Sequence, residues 1–544
     1  MSRLGIAVLL TVLALTGALL APAAAHNPAG SEVRQPTTPA ALQVDAPVPD
    51  LTWGPCHDLE GPDSVELQCA TATVPLDYDA PTGATLDLDL ARIPAADPAN
   101  RIGSLFVNPG GPGGSSREFV SFFGQLVPQA VSERFDVVGI DPRGVGPSAA
   151  MICRTDERRP SFPRAFFPTN DRQVGIQIRF DSWFRRACRD NPDPVVGHMS
   201  TADTARDMDL VRQAVGDDLL SYYGISYGTQ LGTTYAAMFP DRIRAMIIDG
   251  VLDPVAWTTG VGDEATTRPF SERLRSGYGA WQALTAAFAE CDRVGKRRCP
   301  IAGEAAQTWN DIVKRLRRGP FTSDRFGRLT YDLMVGVALS SLYDQSGLPP
   351  LMRDLGRVHR AMFKDRGRVA ARSLRPEAIM RRTTEARGIP GPYAPGFART
   401  GNSFAGVACA DSDNPRKPRA WVPAGRRADR VSPWFGKLWT WASSICAGWP
   451  AATKEDRYPG PFEATTSAPV LVVGNTYDPA TPLHGARAVN RLLDGSRLLV
   501  LDGWGHGAIG TGPCINQAFG DYLVDIVLPR PGTVCRPGAP VFPR

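Results

Sequence analysis

Three residues of this chain have the types and settings needed to act together on one acyl bond. Ser226 stands in Gly224-Ile225-Ser226-Tyr227-Gly228, Asp478 in Tyr477-Asp478-Pro479 and His506 in Gly505-His506-Gly507. A serine hydroxyl is a weak nucleophile at its own pKa. An imidazole that takes its proton, held by a carboxylate, makes it competent for acyl transfer. Glycine on both flanks of Ser226 fits a turn too tight for Cβ atoms. The apolar, aromatic run 219–223 reads as a buried strand. Residues 229–239, with Leu231, Tyr235 and Met238 at helical spacing, read as a helix. Strand, G-x-S-x-G and helix in that order aim the hydroxyl out of the end of a sheet, beside the N–H groups of a helix start.

A tetrahedral oxyanion needs donors. Asn108-Pro109-Gly110-Gly111-Pro112-Gly113-Gly114-Ser115 follows a strand-like run, and so many glycines let backbone N–H groups approach a ligand. The Gly111 N–H is expected as one oxyanion donor and the Tyr227 N–H as the other. Asp249 also follows a strand and competes with Asp478 as the acid. His484, six residues past Asp478, competes as the base but reads as a helix start. Thr481 is placed to hydrogen-bond Asp478.

A parallel sheet is what would bring these residues together. Strand-like runs occur at 70–74, 85–93, 104–107, 135–140, 244–248, 469–473 and 497–501, and Asp478 and His506 each follow one. Residues 201–215 read as a helix capped by Thr201 or Asp203. Asp141 and Arg143, after the fourth run, are expected to pair and pin a turn. Strands alternating with helices predict an α/β fold with helices on both faces. The alternation fails over 253–461, which is helical in texture and rich in Trp and Arg. It is read as a helical cap domain inserted between the first part of the core, 51–252, and its C-terminal part, 462–544.

Ahead of the core, residues 1–25 have the form of a signal peptide: Arg3, an apolar run from Leu4 to Leu20, and Ala23-Ala24-Ala25. Residues 26–50, rich in Pro and Ala, read as a flexible linker. Export fits ten cysteines with no C-x-x-C pair, which are expected as sequential disulfides 56–69, 153–188, 291–299, 409–446 and 514–535. A net charge of +5 argues against general nucleic-acid binding. The run 353–387 carries eleven Lys/Arg against four Asp/Glu; it reads as a solvated face or, alternatively, as an attachment to an anionic cell envelope.

The segments 224–228, 108–115, 141–148, 478–482 and the Gly505-His506 pair resemble those of the secreted bacterial tripeptidyl aminopeptidases, relatives of the prolyl iminopeptidases. The likeness runs from about Leu51 to the C-terminus. It implies an α/β-hydrolase fold with a helical cap, and a serine peptidase cutting near the N-termini of peptides or proteins. It implies no metal and no organic cofactor. The order Ser226, Asp478, His506 is that of the α/β-hydrolases. The family often has Glu just before the cap cysteine, where it could hold a substrate ammonium. Ala408 stands here, leaving Asp411 as the substitute, otherwise a surface acid. The alternative function is an exported carboxylesterase or lipase on the same triad.

Overall fold

The structure is a computed structural model that describes residues 44–59, 67–146, 150–323, 326–364, 397–450 and 456–543, with the side chains of 397–402 left aside. The expected signal peptide, residues 26–43 of the expected linker and residues 365–387 of the basic run lie outside the described residues. From 44 onward the chain is already seated, with Val44 and Ala46 packed on the core.

Ten strands form the main sheet. They are β1 (Gly54–Pro55), β2 (Gln68–Pro75), β3 (Thr85–Ile93), β4 (Gly103–Asn108), β5 (Phe135–Ile140), β6 (Leu220–Ile225), β7 (Ile243–Asp249), β8 (Leu471–Tyr477), β9 (Arg497–Trp504) and β10 (Val534–Cys535), in the spatial order β1-β2-β3-β5-β4-β6-β7-β8-β9-β10. From β5 through β10 all neighbours are parallel; β1, β2 and β3 join antiparallel at one edge. All six residues of β4 and of β6 are buried, the pattern of strands covered on both faces.

The covering helices turn apolar side chains onto the sheet, and helix Tyr227–Met238 is buried on every side. On one face, α1 (Ser116–Leu126) contributes Phe119, Val120 and Phe123, joined by Phe519 and Tyr522 of the C-terminal helix Pro513–Asp525. The other face takes Ala205 and Met208 of α3 (Thr201–Ala214), Leu231 and Tyr235 of α4 (Tyr227–Met238), and Ala486 and Val489 of helix His484–Leu492. The α3 cap is Ser200, one residue ahead of the expected Thr201. The Ser200 hydroxyl accepts from Asp203 N, and the Asp203 carboxylate takes the Ser200 O–H in return.

Between β7 and β8 the chain is mainly helical and has its own core, with Ala280, Leu284, Trp309, Leu339, Leu355, Trp421 and Phe435 buried together. It includes α5 (Ser276–Val294), α6 (Phe397–Asp411) and α7 (Phe435–Trp441). Helix α2 (Asp171–Asp190) precedes β6 in the chain yet packs with these residues. Asp181 accepts from Ser444 Oγ at 2.6 Å, and Phe167 enters the same core. All five disulfides are those expected from the cysteine order. No helix among the described residues is long and apolar enough to cross a membrane.

Candidate active site

Ser226 sits between β6 and α4 at φ 59°, ψ −123°, a backbone state costly for a residue with a Cβ. The turn is tight because its neighbours leave no room: a Cβ on Gly228 would stand 2.6 Å from the Asn108 carbonyl oxygen. The loop after β4 lies over this turn. Gly110 has φ +82°, and a Cβ there would come within 2.7 Å of the Tyr227 nitrogen. The loop is tied down by its own polar groups. Asn108 Oδ1 accepts from Gly110 N, Asn108 Nδ2 donates to Ser116 Oγ, and Ser115 caps α1. Glycine is therefore what lets this loop bring Gly110 against the start of α4.

Asp478 directly follows β8 and His506 lies two residues past β9. Their parallel pairing, Val473 with Leu499 and Tyr477 with Trp504, brings them side by side. His506 Nδ1 is 3.0 Å from Asp478 Oδ2 and 3.1 Å from Oδ1, with both residues almost fully buried. Backbone N–H groups of Ala480 and Thr481 donate to Asp478 Oδ1, both at 2.8 Å. The Thr481 hydroxyl lies 3.0 Å from Oδ2 and 3.1 Å from His506 Nδ1.

Asp249, the competing acid, does not reach the imidazole by a hydrogen bond. It accepts from Ala508 N, Ile509 N and the Tyr223 hydroxyl, so it fastens the segment after His506 to the strand before Ser226. Burial pushes its carboxyl up to about 6. His484 starts a helix, as expected, and its imidazole is held below its ordinary value by burial and by the Arg275 charge. Two clamps on the histidine were not apparent from the sequence. Asn475 Nδ2 donates to the carbonyls of Gly505 and Gly507, and His506 N donates to the Tyr343 carbonyl. The Tyr343 ring also meets the imidazole edge to face, at 5.2 Å between centroids.

Two sequence expectations are corrected. Asp141 and Arg143 do not pair. Asp141 takes Ser115 Oγ and Arg117 N, whereas Arg143, wholly buried, is bound bidentately to Asp207 of α3. The two side chains, either side of Pro142, point apart, and the guanidinium finds a partner on the helix packed behind it. Asp411 is neither a surface acid nor part of the cavity wall. It is buried at the end of α6 and accepts from Thr201 N, Thr201 Oγ1 and Trp257 Nε1. Thr201 Oγ1 in turn lies 2.6 Å from the Tyr227 hydroxyl. Asp411 thus steadies the residue next to the serine, at the N-terminus of α3 where a negative charge is favoured.

Ser226, His506, Gly111 and Thr481 line one cavity of about 220 Å³. Phe166, Trp257, Phe270, Tyr343, Phe404, Trp439 and Trp441 give it an aromatic wall, and no Asp or Glu is among the described lining residues. Phe166 precedes α2, and most of the other aromatic side chains come from the helical stretch. Away from the cavity wall, Asp77, His198 and Asp456 bring their ligand atoms within 4.8 Å of one another. Hydrogen bonding to Asp456 raises the His198 pKa.

A parallel sheet with helices on both faces, a serine at a strained strand-to-helix turn and a buried His–Asp pair at neighbouring strand ends define an α/β-hydrolase. Residues 103–271 match the family model for the alpha/beta hydrolase fold, and residues 432–535 that of the TAP-like proteins. The chain is 30% identical over 506 residues to serine protease Hip1 of Mycobacterium tuberculosis, covering 89% of this chain and 91% of that one. It is 32% identical over 517 residues to carboxylesterase B of the same species, covering 92% of each. Tripeptidyl aminopeptidase of Streptomyces lividans is 29% identical over 553 residues, covering 98% of this chain and 96% of that one. The chain belongs to this α/β-hydrolase family with a TAP-like C-terminal part, and it is a hydrolase.

Proposed function

We propose that the protein is an exported serine peptidase that releases short peptides, tripeptides among them, from the N-termini of peptide or protein substrates. Ser226 Oγ attacks the scissile carbonyl while His506 takes its proton. Asp478 holds the imidazole and stabilises the imidazolium. The Gly111 and Tyr227 N–H groups receive the oxyanion. His506 then protonates the leaving amine, and water, activated by the same base, releases the acyl group from Ser226. The described residues of 253–461 form the cap, with α2 built into it, and their roof limits what enters. The observation that carries this reading is the cavity of about 220 Å³ at Ser226, a volume that suits a short peptide segment rather than a folded chain.

A second reading, a carboxylesterase, is favoured by one observation: no carboxylate stands in the described wall to meet a substrate ammonium. An organophosphonate probe should label Ser226 and fail on Ser226→Ala, which should lose at least about 10³-fold in kcat under either reading. A tripeptidyl p-nitroanilide, a decapeptidyl p-nitroanilide and a short-chain p-nitrophenyl ester then separate the two. Preference for the tripeptidyl anilide over the longer one supports the peptidase. Turnover of the ester alone establishes the esterase. Full activity in Ser226→Ala would reject both.

A further inference from the structure

Helix α5 begins in the wall of the cavity that holds Ser226, and its first turn lacks the usual partners. Arg275, the residue ahead of it, makes no side-chain cap, and its backbone is left-handed at φ 56°. Tyr278 N and Gly279 N both donate to the Arg275 carbonyl. That leaves the N–H groups of Ser276 and Gly277 as the two orphan donors of the helix start. Both residues are buried, so bulk water does not serve them freely. Ser276 itself is 2% exposed and lines the cavity, and its hydroxyl has no hydrogen-bond partner among the described residues. A buried helix end stands beside a hydroxyl that has no protein partner and opens onto the cavity, so a ligand or a bound water there completes both.

The surroundings select the sign of that ligand. A helix N-terminus carries a positive partial charge. Arg275, ahead of the helix, adds a full one; burial first and then this charge lower the His484 pKa. Glu272, the nearest acid in the sequence, is engaged by Arg427 at 2.9 Å. The described cavity wall contains no carboxylate. The position suits a substrate group: a Cβ on Gly279, one turn along α5, would stand 2.5 Å from the Asp478 carbonyl oxygen. The start of α5 therefore adjoins the loop that carries the acid of the triad.

We propose that Ser276, through its Oγ and its own N–H at the start of α5, forms a carboxylate-binding subsite inside the catalytic cavity, so that the preferred substrates are anionic short peptides. This rests on the reading of that cavity as the substrate site. The carboxylate comes from an acidic side chain in the acyl part or from a free C-terminus beyond the scissile bond.

The test uses tripeptidyl p-nitroanilides with Glu or its neutral isostere Gln at each of the three positions, and a short peptide with a free or an amidated C-terminus. A hydrogen-bonded charge is expected to favour Glu at one position by about tenfold or more in kcat/KM, mainly through KM. A matching preference for the free C-terminus instead assigns the subsite to the leaving side. Ser276→Ala should cut that preference to about twofold, and Ser276→Asp should reverse it. Equal rates for Glu and Gln at all three positions, together with equal rates for free acid and amide, overturn the proposal in the wild-type protein alone. If Ser226→Ala is inactive while Glu and Gln are equal, the subsite fails and the serine hydrolase stands. If Ser226→Ala retains turnover, the cavity is not the site and both fall.

Discussion

Thr481 joins two members of the triad with one hydroxyl. It has a single hydrogen to donate, and the Asp478 carboxylate at 3.0 Å is the charged acceptor; His506 Nδ1 shares the neighbourhood at 3.1 Å. Thr481→Val keeps the shape and removes the bond. We expect kcat to fall roughly tenfold with KM little changed, the effect of one hydrogen bond to a charged group. Steady-state kinetics on the tripeptidyl anilide check it; an unchanged kcat would show that the two backbone donors suffice. The sequence carried Ser226, Asp478, His506 and Thr481 because each stands at or just past a strand end with a recognisable turn. It did not carry Asn475 or Tyr343. Tyr343 lies 163 positions from His506 in a helical stretch, and only tertiary folding makes its carbonyl the acceptor of His506 N. Asp411 was visible as an acid near the cap cysteine, but its partner Thr201 is 210 residues away, so its direction was not.

Elements were more legible than contacts between them. Short, mainly apolar runs such as 104–107 and 219–223, bounded by glycine-rich turns, read as strands covered on both faces, and the sheet follows. The membership of α2 was not legible, because periodicity reveals an apolar stripe but not which core receives it. The disulfides show how the helical stretch is held. Cys409–Cys446 ties the end of α6 to the turn Ser444–Cys446 across 37 residues. Asp411 is two positions further on, so this bridge also anchors the carboxylate behind Tyr227. Closing a loop of that length restricts the unfolded chain by about 3–4 kcal/mol. Replacing both cysteines by alanine should lower stability by about that amount in urea unfolding, and should also slow phosphonate labelling of Ser226. Loss of stability with labelling at the wild-type rate would uncouple α6 from the serine turn.

Across the whole molecule, the buried carboxyl groups set how stability depends on pH. Asp141, Asp181, Asp203 and Asp249 lie far apart in sequence, and in each burial raises the carboxyl to about 6 from an ordinary 3.8. The folded protein therefore holds protons on these groups that the unfolded chain has released between about pH 4 and 6. Stability from this source is fully present below about pH 4 and is lost as pH rises through about 6. The raised pKa of His198 acts in the same direction at higher pH, its stabilisation being lost as the imidazole deprotonates. Asp456, lowered by the His198 bond, opposes this at the acid end, as do the exposed Asp58, Glu157 and Asp190, which hydrogen bonds to arginines lower; the four are outweighed because they stand partly or wholly in solvent. Urea midpoints should accordingly fall between pH 4 and 6. Asp181 separates this account from a general charge effect. Its carboxylate accepts from Gln177 Nε2 at one oxygen and from Ser444 Oγ at the other; an asparagine of the same shape keeps an oxygen for Gln177 and turns its NH2 to Ser444 Oγ, which can accept. Asp181→Asn should flatten the decline by up to about 1.4 kcal/mol per pH unit, the contribution of one proton. A midpoint that rises steadily from pH 4 to 6, or a slope in Asp181→Asn equal to that of the wild type, would show that these carboxyls do not govern the profile.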